Sequence, residues 1–467
     1  MRAYLLPVLT AIAIVASLQG HASAQASAFP EDAKLLEIIR SRVEGGRATG
    51  LVLGVVEADG STRIVAYGDP GEGAPPLGPD TVFEIGSVTK VFTTTLLADM
   101  VQTGEVTLEA PAQTWAPAGM TLPQRDGKQI TLTNLAEQNS GLPRLPLNMV
   151  PASIDNPYAD YTTDQLNAYL RGHRLRRDPG AQFEYSNLGM GILGAVLANR
   201  AGQDYETLVK ERILMPLGMT SSGITLTPVM QVTLAKGHDG QGAPARNWDL
   251  PTLAGAGALR STANDMLKFL AANLGEPQSD LERAMRLAQQ PRFRISPESE
   301  IGLGWISMTT KSGARVLFHD GGTGGYGAII GFDPVRQIGL VMLGNRAGIP
   351  EDIALHLMDP SIPLAPPPEA KVEREAIAIP VTELARLTGV YALDAMPSFK
   401  LTVTLEGEQL HVQATGQAKY PVYAESPAKF FYRAVDAELT FAPPSDGKPA
   451  GLTLHQGGAN QHATKQN

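Results

Sequence analysis

The chain has 467 residues, 43% hydrophobic and 18% charged, ordinary values for a globular protein with room for two or three domains. A net charge of −9 argues against binding to a phosphate backbone, which depends on clustered Lys and Arg; the one basic run, Arg171 to Arg177, precedes a Pro-Gly turn and reads as a solvated loop. The absence of cysteine excludes disulfides, thiolate nucleophiles and cysteine-ligated zinc.

In chain order, Arg2, the apolar run Leu5 to Leu18 and Ala22-Ser23-Ala24 follow the plan of a cleaved signal peptide. Residues 1–24 are therefore expected to be removed, with a mature start at Gln25 and export to the periplasm. The run is shorter than the roughly 20 residues of a membrane span, and no later stretch is apolar for long enough to insert stably. Glu31 to Gly45 carries Leu35, Ile38, Ile39 and Val43 at helical spacing. Leu51 to Glu57 and Thr62 to Tyr67 read as a strand pair about the Asp59-Gly60 turn. Ser87 to Thr103 reads as one long helix with Val91, Leu96, Leu97, Met100 and Val101 on its apolar face, closed by Gly104. From Pro111 to Asn273 helices and loops dominate, with helices predicted over Leu188 to Arg200 and Ala263 to Ala272. Strands return over Gly302 to Thr310, Arg315 to His319, Tyr326 to Phe332 and Ile338 to Leu343, and a helix over Pro350 to Met358.

Strands at both ends with helices between predict an α/β unit over residues 25–360: an antiparallel sheet flanked by helices, beside an all-α region. Residues 361–380, with Pro363, Pro366, Pro367 and Pro368, read as a semi-rigid linker. Beyond it, Leu401, Val403 and Leu405, then Leu410, Val412 and Ala414, alternate with polar residues. Residues 381–467 are therefore expected to form a small, separate all-β domain, barrel or sandwich, with a loose polar tail after Gly457.

Three strings carry chemistry. The first is Ser87-Val88-Thr89-Lys90. Three residues of helix advance about 300°, so both side chains share a face, and an unprotonated amine there can take the serine proton. Read alone, Ser87 is equally an ordinary helix cap. Two other Ser-x-x-Lys strings, at Ser426 and Ser445, sit among strands and turns and present no helical face. The second string is Tyr185-Ser186-Asn187. A phenol or phenolate beside Lys90 could shuttle a proton, and Asn187 can both donate to and accept from a substrate amide; the bland alternative is a packed tyrosine and a capping asparagine. The third is His319-Asp320-Gly321-Gly322-Thr323-Gly324-Gly325-Tyr326 at a strand. Its glycines allow a strand edge close to a ligand, where one backbone N–H could join that of Ser87 in an oxyanion hole. His319 could also be purely structural, and a competing His-Asp-Gly begins at His238.

The combination resembles the serine penicillin-recognising family, in particular the class C β-lactamase branch, over about residues 30–360. Phe83 to Phe92 is similar to that branch's nucleophile segment, Tyr185-Ser186-Asn187 to its Tyr-x-Asn element, and Ile130 to Pro143 and Gly257 to Phe269 to two further signatures. The resemblance implies a β-lactamase/transpeptidase-like fold. Its site would have Ser87 acylated, Lys90 and Tyr185 handling protons, and Asn187, His319, Gly321 and Gly322 facing substrate, with the Gly322 N–H in the oxyanion hole. It implies no metal or organic cofactor and a small-molecule or peptidoglycan-like substrate, not nucleic acid.

Two departures stand out. His319-Asp320-Gly321 replaces the Lys-Thr-Gly of class C β-lactamases, whose lysine holds the substrate carboxylate, and His-x-Gly is typical of esterase and D-aminopeptidase relatives. Gln138 stands where relatives often carry histidine. The expected function is hydrolysis of a short ester, D-amino-acid peptide or β-lactam; the alternative is a penicillin-binding acyl acceptor with very slow turnover. The C-terminal domain resembles the lipocalin-like appendages of some D-aminopeptidase relatives, as a lid, a stabilising module or a surface-binding one.

Overall fold

The computed structural model describes residues 27–366, 375–415, 419–433, 437–445, 448–456 and 459–466. The signal-peptide reading of residues 1–24, and Pro367 and Pro368 of the linker, lie outside the described residues.

The first unit is built on an antiparallel sheet of eight strands. These are β1 (Gly50–Val56), β2 (Thr62–Gly68), β3 (Phe293–Arg294), β4 (Ser299–Ile301), β5 (Ile306–Thr309), β6 (Arg315–Gly322), β7 (Gly327–Asp333) and β8 (Ile338–Gly344). Their spatial order is β2-β1-β8-β7-β6-β5-β4-β3, so the early hairpin docks on the last strand through Leu51 opposite Gly344. β1, β7 and β8 are buried along their whole length. Their near-continuous apolar sequences follow from cover on both faces, which removes the usual polar alternation.

On one face, helices α1 (Asp32–Glu44) and α6 (Glu351–Met358) pack Leu35, Ile39, Ile353 and Leu357 against Leu53, Val55, Leu340 and Met342. On the other side lie α2 (Thr89–Gln102), α4 (Ala263–Ala272) and α5 (Asp280–Ala288), with α4 directly on β1 and β8, while α3 (Asn187–Ala201) packs against α2 away from the sheet. There Phe92 stacks on Phe269 at 4.1 Å, and Trp305 meets Phe332 edge-on at 5.0 Å.

Two local expectations are corrected. The helix foreseen from Ser87 opens with a 3₁₀ turn, Gly86–Val88, and becomes α-helical at Thr89. It has no single apolar face, because every side chain from Val88 to Ala98 is buried. Its threonines survive burial by bonding within the helix or nearby, as Thr95 does to the Val91 carbonyl at 2.7 Å. The strand expected over Gly302 to Thr310 is β4 and β5 joined by a turn, in which Gly304 adopts φ +78°. A Cβ there would also meet the Thr94 side chain at 2.6 Å.

The second unit is a separate closed barrel of eight strands: β9 (Gly389–Leu393), β10 (Met396–Glu406), β11 (Gln409–Ala414), β12 (Lys419–Ala424), β13 (Lys429–Tyr432), β14 (Ala437–Phe441), β15 (Gly451–Gln456) and β16 (Ala459–Lys465). Each strand pairs with the next and β16 returns to β9, an up-and-down order that leaves no free edge. The loose tail is thereby corrected. β16 is polar because most of its side chains face water, but Ala463 turns inward and its backbone bonds strands on both sides. Among the described residues no helix is long and apolar enough to cross a membrane.

Candidate active site

The chemistry-bearing residues meet where the start of α2 abuts the end of β6. Phe83-Glu84 pairs with Arg260-Ser261, and Ile85 N–H donates to the Leu259 carbonyl at 3.1 Å, which fixes the approach to Ser87. Glu84 anchors this approach. Its buried carboxylate accepts from Asn247 Nδ2 and Trp248 N–H, both at 3.0 Å, and pairs with Arg260 at 3.2 Å. Gly86 then turns the chain at φ +49°, a conformation suited to glycine.

Ser87 is half-buried at the cleft floor, and Lys90 is fully buried beneath it. Lys90 Nζ lies 2.8 Å from Ser87 Oγ and donates to the Ala256 carbonyl at 2.7 Å. Burial, helped by the positive charge of Arg144 and opposed by Asp320, holds the amine well below the ordinary lysine range. The ammonium form is thus disfavoured where a proton acceptor for Ser87 is required.

The Tyr185 hydroxyl is close enough for Ser87 to act on it, and Lys90 Nζ sits 4.8 Å from its ring centre. Burial pushes the phenol pKa up, so Tyr185 rests protonated. Of the two alternatives, burial favours the phenol, a proton donor, over the phenolate. Ser186 caps α3, accepting from Gly189 N–H at 2.8 Å and donating to the Pro143 carbonyl at 2.7 Å. Asn187 Nδ2 donates to the Tyr158 hydroxyl at 3.2 Å, while its Oδ1 is buried without a hydrogen-bond partner.

Gln138, the unexplained departure, is a positioning residue. It is buried at φ +58°; its Oε1 accepts from Ser186 N–H at 2.6 Å and its carbonyl from Glu184 N–H at 2.7 Å. It therefore clamps the loop bearing Tyr185 from both sides.

β6 supplies the third wall. A Cβ at Gly321 would fall 2.1 Å from the Ile85 carbonyl and 2.9 Å from the Ser87 nitrogen; one at Gly86 would fall 2.7 Å from the Gly322 nitrogen. Glycine at 86 and 321 is what lets the two backbones touch, and the contact sets the amides of Ser87 and Gly322 side by side. His319 is buried; its Nδ1–H donates to the Asp320 carbonyl at 2.6 Å, and its ring centre lies 6.4 Å from that of Tyr185. Burial pushes its pKa down to about 4, against the pull of Asp320, so the ring is neutral at pH 7. Among the described residues no three His, Asp or Glu side chains cluster to hold a metal ion.

All seven residues singled out in the sequence thus belong to one neighbourhood. The competing histidine does not: His238 latches onto the Asn345 carbonyl, through its N–H at 2.9 Å and Nδ1 at 3.0 Å. Three contributors escaped the sequence reading. The Ala256 carbonyl is a backbone group, invisible to side-chain motifs. Tyr158 lies in an irregular loop. Arg144 directly follows the Gly141-Leu142-Pro143 end of a signature already noted, and that adjacency was the available signal.

The beta-lactamase family model matches residues 35–357, and a domain of unknown function (DUF3471) matches residues 373–466. The chain is 32% identical over 322 residues to the D-alanyl-D-alanine-carboxypeptidase/endopeptidase AmpH of Escherichia coli (strain K12), covering 65% of this chain and 81% of that protein. It is 26% identical over 359 residues to a beta-lactamase of Lysobacter lactamgenus, covering 69% and 88%. The solved beta-lactamase/D-alanine carboxypeptidase from Yersinia pestis, complexed with citrate, shares the fold at TM-score 0.60 and 24% identity, over 68% of this chain and 93% of that one.

Proposed function

Because the chain belongs to the β-lactamase family and is a serine hydrolase of that family, we propose that it cleaves D-amino-acid peptides and short esters through an acyl-enzyme on Ser87. β-Lactams are the less efficient substrates. The observation that carries this reading is the 2.8 Å contact between Ser87 Oγ and the buried Lys90 amine.

In the first step Ser87 Oγ attacks the carbonyl carbon and its proton passes to Lys90. The oxyanion forms between the N–H groups of Ser87 and Gly322. As the C–N or C–O bond breaks, the Tyr185 phenol gives its proton to the leaving atom and recovers one from the Lys90 ammonium. Water then attacks the ester, loses a proton toward Lys90, and Ser87 leaves protonated. D-Alanyl peptides come first because a 32% identical relative is named for D-alanyl-D-alanine cleavage and because neutral His319 lacks a lysine's charge for a β-lactam carboxylate.

Ser87→Ala should lower turnover of p-nitrophenyl butyrate and D-alanine p-nitroanilide by about 10⁴-fold or more. Parallel steady-state assays with nitrocefin rank the substrate classes. Full turnover in the variant overturns the mechanism; negligible turnover by the wild type with a lasting penicillin adduct favours the slow acyl acceptor instead. Export belongs to the same reading and rests on Arg2, Leu5 to Leu18 and Ala22-Ser23-Ala24. Protein recovered from a bacterial periplasm should begin at Gln25 on N-terminal sequencing; a chain retaining Met1 in the cytoplasm contradicts it.

A further inference from the structure

The site holds one cation that the reaction steps leave unused. Arg144 is exposed, and its guanidinium carbon lies 5.1 Å from the Tyr185 ring centre. Its backbone is fixed to the catalytic loop: the Arg144 carbonyl accepts from Leu188 N–H at 3.2 Å, one residue after Pro143 accepts from Ser186. Two arginines elsewhere in this unit are paired with carboxylates, Arg212 with Glu105 at 2.6 Å and Arg260 with Glu84 at 3.2 Å. Among the described residues the Arg144 guanidinium has no carboxylate partner, and it lies over the Tyr185 ring.

The strand side of the site is electrically different. His319 is buried with its Nδ1–H committed to a carbonyl. Asp320, exposed, puts a negative charge at the end of β6, and that charge is felt at Lys90 and Tyr185. The Asp320 side chain lies on the other face of the sheet, beside Phe318 and Glu351, so an anionic substrate group seated on this strand would find no cation there. Seated on the Tyr185 side it meets Arg144, whose planar fork suits a carboxylate. Asn187 Oδ1 adds an unpartnered acceptor, bonded through its own amide to Tyr158, which also feels the Arg144 charge.

We propose that Arg144 is the carboxylate anchor of this site, selecting peptides with a free D-alanyl carboxylate in place of the lysine absent at position 319. The inference rests on the acyl-enzyme reading above and adds to it a substrate charge. An acceptor for an N–H at Asn187, two N–H donors for the oxyanion and a cation for the terminus together match an acylated D-alanyl-D-alanine.

The test compares kcat/KM for acetyl-D-alanyl-D-alanine and for its C-terminal amide, scored by release of D-alanine or D-alaninamide. The wild type should prefer the free acid by about 10–100-fold, the scale of a charge-assisted hydrogen-bonded pair. Arg144→Gln should shrink that preference at least about 10-fold, Arg144→Lys should keep part of it, and Arg144→Glu should reverse it. A wild-type preference that persists in Arg144→Gln, the lack of any preference, or no cleavage of the acid overturns the proposal. A p-nitrophenyl acetate burst run alongside separates the two levels. If the burst is present and depends on Ser87, only the Arg144 assignment falls; if it is absent, the acyl-enzyme reading falls and takes this one with it.

Discussion

Gly321→Ala should lower kcat/KM by about 10²–10³-fold while leaving the protein folded, the loss expected when one oxyanion donor is displaced. The new methyl would meet the Ile85 carbonyl at 2.1 Å and the Ser87 and Val88 nitrogens at 2.9 Å. All three are backbone atoms, so no flexible side-chain end can swing aside. The turn is tied by Ile85 N–H to Leu259 and Val88 N–H to Ile85, both at 3.1 Å, and β6 is tied to β7 through Gly321 opposite Ala328. Either the turn or the strand must move, and either motion parts the amides of Ser87 and Gly322. Gly331→Ala is the control: on β7 its Cβ would meet Phe318 Cβ at 3.4 Å, an ordinary contact, so activity should stay within about 2-fold. Steady-state ester hydrolysis with thermal unfolding of both variants checks this. Equal activity in Gly321→Ala and Gly331→Ala contradicts the role given to the strand contact.

Lys90→Ala should slow acylation by roughly 10²–10⁴-fold, the range of a lost general base. The pH dependence gives the sharper signature. The amine is held below the ordinary lysine range chiefly by burial, then by Arg144, with Asp320 pulling the other way. Only the neutral amine accepts the Ser87 proton. Acylation should therefore rise with pH through this lowered pKa and level off above it, and be lost below it as the ammonium forms. In Lys90→Ala that acid limb should vanish, leaving a slow residual rate that climbs with hydroxide. Lys90→Arg, which cannot deprotonate in this range, should be as inactive as the alanine variant. Single-turnover acylation followed across pH reads all three; an unchanged acid limb in Lys90→Ala assigns the base elsewhere.

The sequence was informative where one residue's chemistry or a local period decides the outcome. The apolar runs of β1 and β8 read as strands, and the Ser87-to-Lys90 spacing read as a nucleophile and its base. What stayed hidden depends on partners distant in sequence. The Ala256 carbonyl reaches Lys90 across 166 positions, and the Gly321 contact joins two backbones that carry no side-chain signal. Gln138 was visible as a departure, but its clamp on Ser186 spans 48 residues. α2 was misread as amphipathic because Thr93, Thr94 and Thr95 look like a solvent face; their hydroxyls are satisfied internally instead. β16 was misread as a tail because its composition is polar, although barrel closure is a backbone property.

The most direct test is intact-mass analysis after exposure to benzylpenicillin, followed by peptide mapping, on the wild type and Ser87→Ala. The account predicts a transient or lasting penicilloyl adduct on Ser87 of the wild type and none on the variant. An adduct on another residue, or an equal adduct on Ser87→Ala, would contradict the claim that Ser87 is the nucleophile.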